Sequence, residues 1–386
     1  MRELVIDGVT INDDSDAWVI AEIGNTHNGD VETAKLLIKT AAEMGCNAIK
    51  MQKKTIDKCY TKAFLNKPYE TYHSYGNTYG EHKHFLEFED MAIWQELKTY
   101  AGKYGISFFA TPFDIDAAHF LNDLGVPCFK IASAHITDIP LIRTVASFGK
   151  PVLISTGGCT AMDIRRAHNA CLYLNPLKRL LPNENISLLH CIASYPTKAE
   201  EINLKMIKIL QRHYPCTVIG FSDHYNGIVM AEGAYLYGAR VIEKHFTLDH
   251  TQKGTDHALS LEPQGLDSLI KNLRRLRKAK GDGVKEFMDM EKKAISKMGK
   301  AIWPARTIKQ GEAITKDNVC IKIPNDGLPP YMLDEIIGKV AREDISTSIP
   351  VTFDIIEADF TEKGIIDYQV RELEKDKEKL RWRQND

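Results

Sequence analysis

The 386-residue sequence lacks any apolar run as long as the roughly 18 to 20 residues that a helix needs to span a bilayer. Its first residues, from Met1 to Gly8, lack the long apolar core of a secretory signal peptide. Its net charge is only −2, which gives no bulk attraction to nucleic acid or to anionic lipid. We therefore expect a protein whose partners include neither a membrane nor nucleic acid.

The sequence also lacks cysteine pairs of the CxxC type. Its cysteines stand at positions 46, 59, 128, 159, 171, 191, 216 and 320. This scatter favours free thiols in a reducing cytoplasm over a disulfide framework or a structural zinc site. Hydrophobic residues make up 44% of the chain and charged residues 26%, as in ordinary globular proteins. We therefore expect a cytoplasmic globular protein.

Strand-like and helix-like segments alternate along the first two thirds of the chain. Eight short apolar runs rich in β-branched residues are each followed by a helical stretch, and the last two runs are residues 217–221 and 241–245. Eight such units in about 260 residues favour an α/β fold of the (β/α)8 TIM-barrel type. A doubly wound sheet is the alternative, but the near-uniform units favour closure into a barrel.

Composition divides the chain into four parts. Residues 1–281 form the predicted barrel domain, and residues 282–296, which are charged and poor in apolar side chains, form a predicted linker. A second, small domain is predicted over residues 297–358, followed by a charged tail over residues 359–386. Within the barrel domain, residues 53–90 exceed a normal βα loop and are rich in aromatic and polar side chains, which is typical of a lid or substrate-contact loop.

The predicted strands end in polar residues, and in a barrel these ends meet at one face. His224 and His245 end the seventh and eighth units, so the two imidazoles could share one divalent metal such as Mn²⁺, Fe²⁺ or Zn²⁺. Glu22 and Asp256 could bind hydroxyl groups or move protons. Two lysines, several hydroxyl groups and a Gly-Gly turn at residues 157–158 suit a small phosphorylated anion. These lysines and hydroxyl residues are Lys50, Thr111, Lys130, Ser133, Ser155 and Ser222.

Each of these residues also has a structural interpretation. A single histidine at a strand end is more often a hydrogen-bonded core residue than a ligand, and we expect this of His190 because Tyr195 lies nearer the open face. Either lysine alone could be part of an ion pair in the barrel core. The structural interpretations become less favourable when all the residues are considered together. Burying polar residues at the ends of eight consecutive strands costs free energy unless a ligand forms hydrogen bonds with them. An enzyme is the leading interpretation.

Six motifs in order along the barrel domain carry a family resemblance. They are IAEIGNTHNGD at residues 20–30, AIKMQ at 48–52, FKIAS at 129–133, ISTGG at 154–158, GFSDH at 220–224 and IEKHFT at 242–247. Together they resemble the sialic acid (N-acetylneuraminate) synthase family. The segment IKQGEAIT at residues 308–315 looks like part of the antifreeze-like (SAF) domain that follows the barrel in that family.

The resemblance implies a TIM barrel with a small C-terminal SAF domain of the β-clip type, assembled as a domain-swapped homodimer. It implies that phosphoenolpyruvate condenses with an N-acylated mannosamine-type aldose, giving a sialic-acid-like nonulosonic acid and phosphate by C–O cleavage. His224 and His245 would ligate Mn²⁺, or another divalent metal such as Mg²⁺ or Co²⁺. Glu22 would face the sugar, and we expect it to be the group that activates water. Phosphoenolpyruvate would be held by Lys50, Thr111, Lys130, Ser133, Ser155 and Ser222, and the sugar by Gln52, Tyr195, Asp256 and Lys300.

The sequence departs from the family pattern at four sites, which together cover five residues. Ala193 stands where the family usually has Asn, Ala134-His135 replaces Gly-Glu, and Thr255 replaces Pro. Lys300 stands for an Arg that reaches the partner subunit's sugar, and it lacks the planar fork of a guanidinium. Most of these changes fall where the sugar should bind. We therefore expect retained chemistry on a modified sugar, such as a legionaminic-acid-type precursor.

Two alternatives stay open. One is a related phosphoenolpyruvate-dependent 3-deoxy-ulosonate synthase with a different aldose, but such enzymes lack a SAF domain and residues 297–358 argue against it. The other is a non-catalytic carbohydrate-binding homologue, which Ala193 and Lys300 would allow. The intact lysines and the intact histidine pair argue against that second alternative.

Overall fold

Eight parallel strands close into a barrel in the computed structural model, which describes residues 2–173 and 185–357. A short antiparallel hairpin precedes them. The strands of this part are β1 (Glu3–Ile6), β2 (Val9–Asn12), β3 (Trp18–Gly24), β4 (Ala48–Lys53), β5 (Ser107–Pro112), β6 (Phe129–Ile131), β7 (Val152–Ser155), β8 (Ile186–Cys191), β9 (Val218–Asp223) and β10 (Val241–His245). Each barrel strand pairs with the next along the chain, and β10 pairs with β3 to close the ring. The predicted TIM barrel is confirmed.

Helices follow the strands in the predicted alternation. Several begin at a side chain that accepts a backbone N–H of the first turn, as Asp30, Asp114 and Asp138 do. The helices of this part are α1 (Val31–Met44), α2 (Ile56–Cys59), α3 (Lys62–Leu65), α4 (Tyr79–Leu86), α5 (Met91–Lys103), α6 (Ile115–Leu124), α7 (Ile139–Ser147), α8 (Ala161–Cys171), α9 (Lys205–His213), α10 (Val229–Leu236) and α11 (Pro263–Lys280). Among the described residues, none of the helices has the length and apolar character needed to cross a membrane.

The barrel strands are buried along almost their whole length, and Gln52 of β4 is a partly exposed exception. All seven residues of β3 and all six of β5 are buried, as expected for a parallel sheet that helices cover. Large side chains such as Trp18, Phe109, Phe129 and Phe221 belong to one continuous apolar cluster. A rigid scaffold of this kind lets the strand ends hold side chains in fixed positions.

The long insertion over residues 53–90 contains helices α2 to α4. Hydrogen bonds hold it at two points. Near its start, Nζ of Lys53 donates to Oε1 of Glu87 at 2.8 Å and to the carbonyl of Phe88 at 2.8 Å. In its middle, the hydroxyl of Tyr75 donates to the carbonyl of Lys253 at 2.9 Å. The insertion is therefore tied to the loop that follows β10, at the same end of the barrel as the predicted site.

The chain divides into two compact units after Asp282. The second unit has its own core, in which Ile302, Ile308 and Ile314 are fully buried. Its elements are α12 (Lys292–Met298), β11 (Ala301–Pro304), β12 (Val319–Lys322), α13 (Leu333–Ile336), β13 (Val340–Ala341) and β14 (Ile356–Glu357). Residues 282–296, predicted as a linker, thus include the start of α12. The predicted tail over residues 359–386 lies outside the described residues.

Candidate active site

A cavity of about 270 Å³ opens at the carboxyl ends of the barrel strands. Each of the eight strands, or the loop that follows it, contributes to the wall. Most residues predicted from the sequence line it: Glu22, Lys50, Gln52, Thr111, Lys130, Ser133, Ser155, Tyr195, Ser222, His224 and His245. The other lining residues are Phe113, Ala132, Ala134, Ala193 and Glu243. The strand-end residues therefore face one common space.

Parallel pairing determines which of these side chains are neighbours. Glu22 pairs in register with Lys50 on one side and with His245 on the other. Ser222 pairs in register with Glu243. Because side chains alternate along a strand, residues two apart point the same way, and both Glu243 and His245 reach the cavity.

Two lysines and two carboxylates form a buried charge network in the cavity wall. Nζ of Lys50 lies 2.5 Å from Oε2 of Glu22 and 3.7 Å from Oε2 of Glu243. Nζ of Lys130 lies 3.5 Å from Oε1 of Glu243. The four residues are at most 4% exposed. Each ammonium lies close to a carboxylate, and this attraction offsets much of the free energy that removing the charges from water costs.

The charges of this network shift the acidities of its members. Burial alone would raise the pKa of Glu243, but the ammonium groups of Lys130 and Lys50 bring that pKa below its usual range. Burial alone would lower the pKa of Lys50, and the carboxylates of Glu22 and Glu243 reverse this into a rise. For Lys130 burial prevails and the pKa is lowered, because Glu243 only partly compensates it. Lys130 is thus the less compensated cation, as expected of a group that binds an anionic ligand.

Serine hydroxyl groups form the rest of the anion-binding side. Ser222 donates to Oε1 of Glu243 at 3.0 Å, and Oγ of Ser133 accepts the backbone N–H of Gly157 at 3.0 Å. Oγ of Ser155 is buried and has no hydrogen-bond partner among the described residues. A buried hydroxyl group without a partner calls for a ligand or a water to satisfy it. Ser155 therefore marks a position where a ligand atom fits.

The two predicted metal ligands lie side by side, with the ring centroids of His224 and His245 5.5 Å apart. Nδ1 of His224 donates to the carbonyl of Ile192 at 2.7 Å, since a carbonyl can only accept, and this leaves Nε2 with a free lone pair. Burial, helped by the neighbouring His245, lowers the pKa of His224 to about 3. Nδ1 of His245 is buried without a partner in the described part of the chain. A neutral, oriented imidazole such as that of His224 is the form that binds a divalent metal.

This histidine pair fits a metal with only two protein ligands. Within residues 2–173 and 185–357, no three His, Cys, Asp or Glu side chains are close enough to share an ion. A metal bound by His224 and His245 would keep its other positions for water and for substrate oxygen atoms. That openness is the property of a catalytic site and not of a closed structural one.

Asp256 does not line the cavity but lies in a polar cluster with Glu22 and Gln52. A Cβ added to Gly24 would lie 2.7 Å from Oδ2 of Asp256, 3.1 Å from Oε1 of Glu22 and 3.2 Å from Nε2 of Gln52. Nε2 of Gln52 donates to Oε1 of Glu22 at 3.1 Å. A side chain at position 24 would therefore displace members of this cluster, and the backbone φ of +43° there favours glycine as well.

Three further predicted residues have distinct positions. Tyr195 packs its ring on His224 with centroids 4.0 Å apart and is 57% exposed. His190, expected to be structural, is bonded to the carbonyl of Ile202 at 2.6 Å and does not line the cavity. Lys300 is exposed and belongs to the second unit, directly before β11.

Three residues at or beside the cavity had no predicted role. Glu243 could have been found, because it stands two residues before His245 on one strand and must share its face. Phe113 lines the wall just after β5. Lys54 follows β4, and its Nζ lies 4.1 Å from the centroid of the Phe113 ring. The last two lie in loops, where no periodicity predicts the direction of a side chain.

Comparison with protein families covers both units. A model of the NeuB family matches residues 37–285, and a model of the SAF domain matches residues 299–357. The first match falls on the barrel and the second on the small unit. The family resemblance predicted from the motifs is confirmed.

Individual proteins are similar over most of the chain. N-acetylneuraminate-9-phosphate synthase of Homo sapiens is 36% identical over 323 residues, which are 83% of this chain and 88% of that protein. N,N'-diacetyllegionaminic acid synthase of Campylobacter jejuni subsp. jejuni is 37% identical over 326 residues, 84% of this chain and 96% of that protein. A crystal structure of N-acetylneuraminic acid (sialic acid) synthetase from Leptospira borgpetersenii, in complex with citrate, has a TM-score of 0.65 and 31% identity over 76% of this chain and 95% of its own. The cavity, the family matches and these relatives lead to one assignment: this chain belongs to the NeuB family.

Proposed function

We propose that the protein is a phosphoenolpyruvate-dependent nonulosonic acid synthase. In the proposed reaction, phosphoenolpyruvate condenses with an N-acylated mannosamine-type aldose to give a nonulosonic acid and phosphate. Support comes from the family and from relatives named as synthases of N-acetylneuraminate 9-phosphate and of N,N'-diacetyllegionaminic acid. The observation that carries the proposal is a single cavity lined by two lysines, a row of hydroxyl groups and a histidine pair.

Phosphoenolpyruvate is the proposed occupant of the side of the cavity around Lys50 and Lys130. Its phosphate and carboxylate are anions, and charge interactions with buried ammonium groups are stronger than in water. The unpartnered hydroxyl of Ser155 can donate to a phosphate oxygen. Nζ of Lys50 already donates to Oγ1 of Thr111 at 3.1 Å, so that hydroxyl can in turn donate to the ligand. Ser133 and Ser222 complete the proposed set.

The proposed chemistry forms one carbon–carbon bond and breaks one carbon–oxygen bond. C3 of phosphoenolpyruvate bonds to the aldehyde carbon of the open-chain sugar, and the aldehyde oxygen takes up a proton to become a hydroxyl group. Water loses a proton and adds at C2, and the C2–O bond to the phosphoryl group then breaks. Phosphate leaves with that bridging oxygen, and C2 becomes a ketone as its new hydroxyl group loses a proton.

Glu22 is the proposed base that takes the proton from water. Its Oε1 accepts from Gln52 and its Oε2 faces Nζ of Lys50, so the carboxylate is held in one orientation. Lys50 and Lys130 would stabilise the negative charge that builds up on the departing phosphate. Their positions in the barrel wall require little rearrangement during the reaction, which is the condition for strong electrostatic stabilisation.

His224 and His245 are the proposed ligands of Mn²⁺, or of another divalent ion such as Mg²⁺ or Co²⁺. When bound, such an ion supplies a Lewis acid that polarises the aldehyde oxygen. The chain's own contribution is orientation: the carbonyl of Ile192 determines the tautomer of His224, and the ring of Tyr195 packs against the same imidazole. On the sugar side, the cluster of Glu22, Gln52 and Asp256 offers acceptors and a donor for hydroxyl groups.

A domain-swapped homodimer is the proposed assembly. The second unit exposes large apolar side chains close to its start, with Phe287 60%, Met290 81% and Met298 67% exposed. Several exposed large apolar side chains within twelve residues of sequence are compatible with an interface that covers them. In such a dimer, Lys300 of the partner subunit would reach the sugar. Light scattering after size exclusion tests this, since a monomer at micromolar concentration would contradict it.

Cytoplasmic localisation also remains a proposal. All eight cysteines lie within the described residues, and all are free thiols. Free cysteines are typical of a reducing compartment.

Isotope labelling tests the proposed bond cleavage. Phosphoenolpyruvate labelled with ¹⁸O at the bridging oxygen should transfer the label to inorganic phosphate, because the C2–O bond breaks. Mass spectrometry of phosphate and of the sugar acid distinguishes the two routes. Label retained in the sugar acid would show P–O cleavage and contradict the proposal.

A further inference from the structure

Just beyond Gln52 the fold buries an ammonium group for which the proposed reaction has no use. Lys54 is only 5% exposed. Its Nζ donates to Oε1 of Gln52 at 2.8 Å and lies over the ring of Phe113, 4.1 Å from the centroid. Among residues 2–173 and 185–357 it forms no ion pair with a carboxylate within 4.0 Å. A buried cation whose hydrogen-bond acceptor is a neutral amide is an unfavourable arrangement unless an anion joins it.

The neighbouring Lys53 is a buried lysine with a purely structural role, and its contacts differ from those of Lys54. Its Nζ donates to Oε1 of Glu87 and to the carbonyl of Phe88, each at 2.8 Å. Glu87 is thereby engaged with Lys53. Asp256, another carboxylate whose charge acts on Lys54, accepts the backbone N–H of Asn25 at 3.3 Å. The carboxylates of this region therefore leave Lys54 without a direct counter-ion.

Another buried nitrogen, on the His135 ring, lies beside Phe113 and lacks a hydrogen-bond partner among the described residues. The ring of His135 packs edge-on against Phe113 with centroids 4.7 Å apart. Its Nδ1 is buried and has no hydrogen-bond partner in the described part of the chain. Phe113 and Ala134, the residue before His135, both line the cavity. Lys54 and His135 thus flank one side chain of the cavity wall.

The position of Lys54 separates it from the proposed phosphoenolpyruvate side. Hydrogen bonds and an ion pair run from Lys50 to Glu22, from Glu22 to Gln52 and from Gln52 to Lys54. Lys50 and Lys130 each have a carboxylate partner, Glu22 and Glu243 respectively, whereas Lys54 has no carboxylate partner among the described residues. The unbalanced positive charge therefore lies beyond Gln52, next to the cluster proposed for the sugar.

We propose that Lys54 and His135 form a subsite for an anionic group of the aldose, so that the enzyme uses an N-acyl hexosamine phosphate in preference to a neutral aldose. The inference rests on the proposed synthase function and names its substrate class. It differs from the legionaminic-acid-type precursor that the departures in sequence suggested, and the experiment below includes an outcome that overturns it. A phosphate ester offers the strongest acceptors for an ammonium and an imidazole N–H.

Paired substrates test the subsite. Consumption of phosphoenolpyruvate is measured with N-acetylmannosamine and with N-acetylmannosamine 6-phosphate under the same metal concentration. Two charge-assisted hydrogen bonds correspond to a preference in kcat/KM of about 10- to 100-fold for the phosphate. Lys54→Met should remove about that factor with the phosphate while changing kcat/KM with the neutral sugar by less than about threefold. Lys54→Arg should keep the preference.

Lys58→Met is the matched control, because Lys58 belongs to the same insertion but is exposed and pairs with Asp116. It should leave both substrates unchanged. His135→Glu is the second variant, and it places a carboxylate beside Phe113. It should lower kcat/KM with the phosphate by at least about tenfold without a similar loss for the neutral sugar, whether or not Lys54→Met folds.

The outcomes separate the subsite from the synthase function. A wild-type enzyme that shows no preference for the phosphate overturns the subsite and leaves the synthase function in place. Equal losses with both sugars in Lys54→Met also overturn it, because Lys54 would then only orient Gln52. If neither sugar consumes phosphoenolpyruvate, calorimetry decides: binding of the sugar phosphate that Lys54→Met abolishes supports the subsite although the synthase function fails, and an absence of binding overturns both.

Discussion

Lys244 and Asp223 form an ion pair between the two strands that carry the histidines, with Nζ 2.9 Å from Oδ2. They are partners in register, and their side chains are 0% and 1% exposed. Asp223 directly precedes His224, and Lys244 directly precedes His245. Because side chains alternate along a strand, this pair lies on the opposite face of the sheet from Glu243 and His245. The pair therefore fixes the relative position of the two histidines.

Removing Lys244 should weaken both the fold and the metal site. Lys244→Met leaves the carboxylate of Asp223 buried without its partner, which lowers the free energy of unfolding by about 3–5 kcal/mol. Loss of an interaction that orients a metal ligand should also weaken metal affinity by about 10- to 100-fold. Urea unfolding and metal titration followed by calorimetry measure the two effects.

The control for this variant is Lys271→Met, which breaks the exposed pair with Asp267 within α11 and should cost less than about 0.5 kcal/mol. Asp223→Asn combined with Lys244→Met should recover part of the lost stability. A Lys244→Met protein as stable as the wild type would contradict the role assigned to the pair.

Removing one histidine should abolish metal dependence. His224→Ala leaves His245 as the remaining member of the pair, so activity should fall by at least about 100-fold and should no longer saturate with Mn²⁺ in the range that saturates the wild type. Manganese binding by electron paramagnetic resonance checks the loss without relying on turnover.

His190→Gln is the matched control, since the amide can still donate to the carbonyl of Ile202. It should keep both metal binding and activity. Equal behaviour of the His190 and His224 variants would show that the assignment of the metal ligands is wrong.

The carboxylate of Glu243 should stabilise the empty site more than the occupied one. Glu243→Gln leaves Lys50 and Lys130 less compensated, which lowers the free energy of unfolding by about 3 kcal/mol. Phosphoenolpyruvate supplies anionic groups to the same lysines, so it should raise the melting temperature more in the variant than in the wild type. Thermal unfolding with and without phosphoenolpyruvate measures this.

Glu262→Gln serves as the control because Glu262 pairs with His250 at a partly exposed position. It should show the wild-type response to phosphoenolpyruvate. A Glu243→Gln protein whose melting temperature responds no more than the wild type would separate Glu243 from the anion site.

Adding one carbon at Gly24 should disrupt the sugar side of the cavity. In Gly24→Ala, the new Cβ meets Asp256 at 2.7 Å and Glu22 at 3.1 Å, so both carboxylates must move. Activity should fall by at least about 100-fold, since a displacement of about 1 Å at a reacting group has an effect of that size. Steady-state kinetics give the measure.

Gly149→Ala separates strain from displacement. Gly149 also has a positive φ, +72°, but an added Cβ there meets no atom within 4 Å. Gly149→Ala should lose about 1 kcal/mol of stability through strain alone and keep its activity, whereas Gly24→Ala should lose more stability and also lose activity. Comparable activity losses in both would point to backbone strain alone.

The sequence predicts the fold and the strand-end residues for one physical reason. Apolar runs of strand length with helices between them have few stable arrangements, and the alternation of side chains places Lys50, Gln52, Ser222 and His224 toward the barrel axis. The same rule places Glu243 toward the barrel axis, but its role as the counter-ion of both lysines depends on distances between strands that the sequence does not give.

Residues in loops could not be predicted in that way. The positions of Lys54, Phe113 and His135 depend on the path of the chain after the strand ends, where no period constrains the direction of a side chain. The closeness of Asp256 to Glu22 depends on tertiary packing around Gly24, which the spacing in sequence does not reveal. That Lys54 has no carboxylate partner among the described residues can be recognised only from the three-dimensional positions of the residues around it.

Release of inorganic phosphate from phosphoenolpyruvate is the measurement that tests the central claim most directly. The purified protein is assayed with Mn²⁺ and a panel of aldoses: N-acetylmannosamine, its 6-phosphate and 2,4-diacetamido-2,4,6-trideoxyhexoses. A nonulosonic acid synthase releases phosphate with at least one of them, only when both the aldose and the metal are present, and forms one sugar acid per phosphate. The claim would be contradicted if no mannosamine derivative led to phosphate release. It would also be contradicted if phosphate were released at the same rate with and without the aldose.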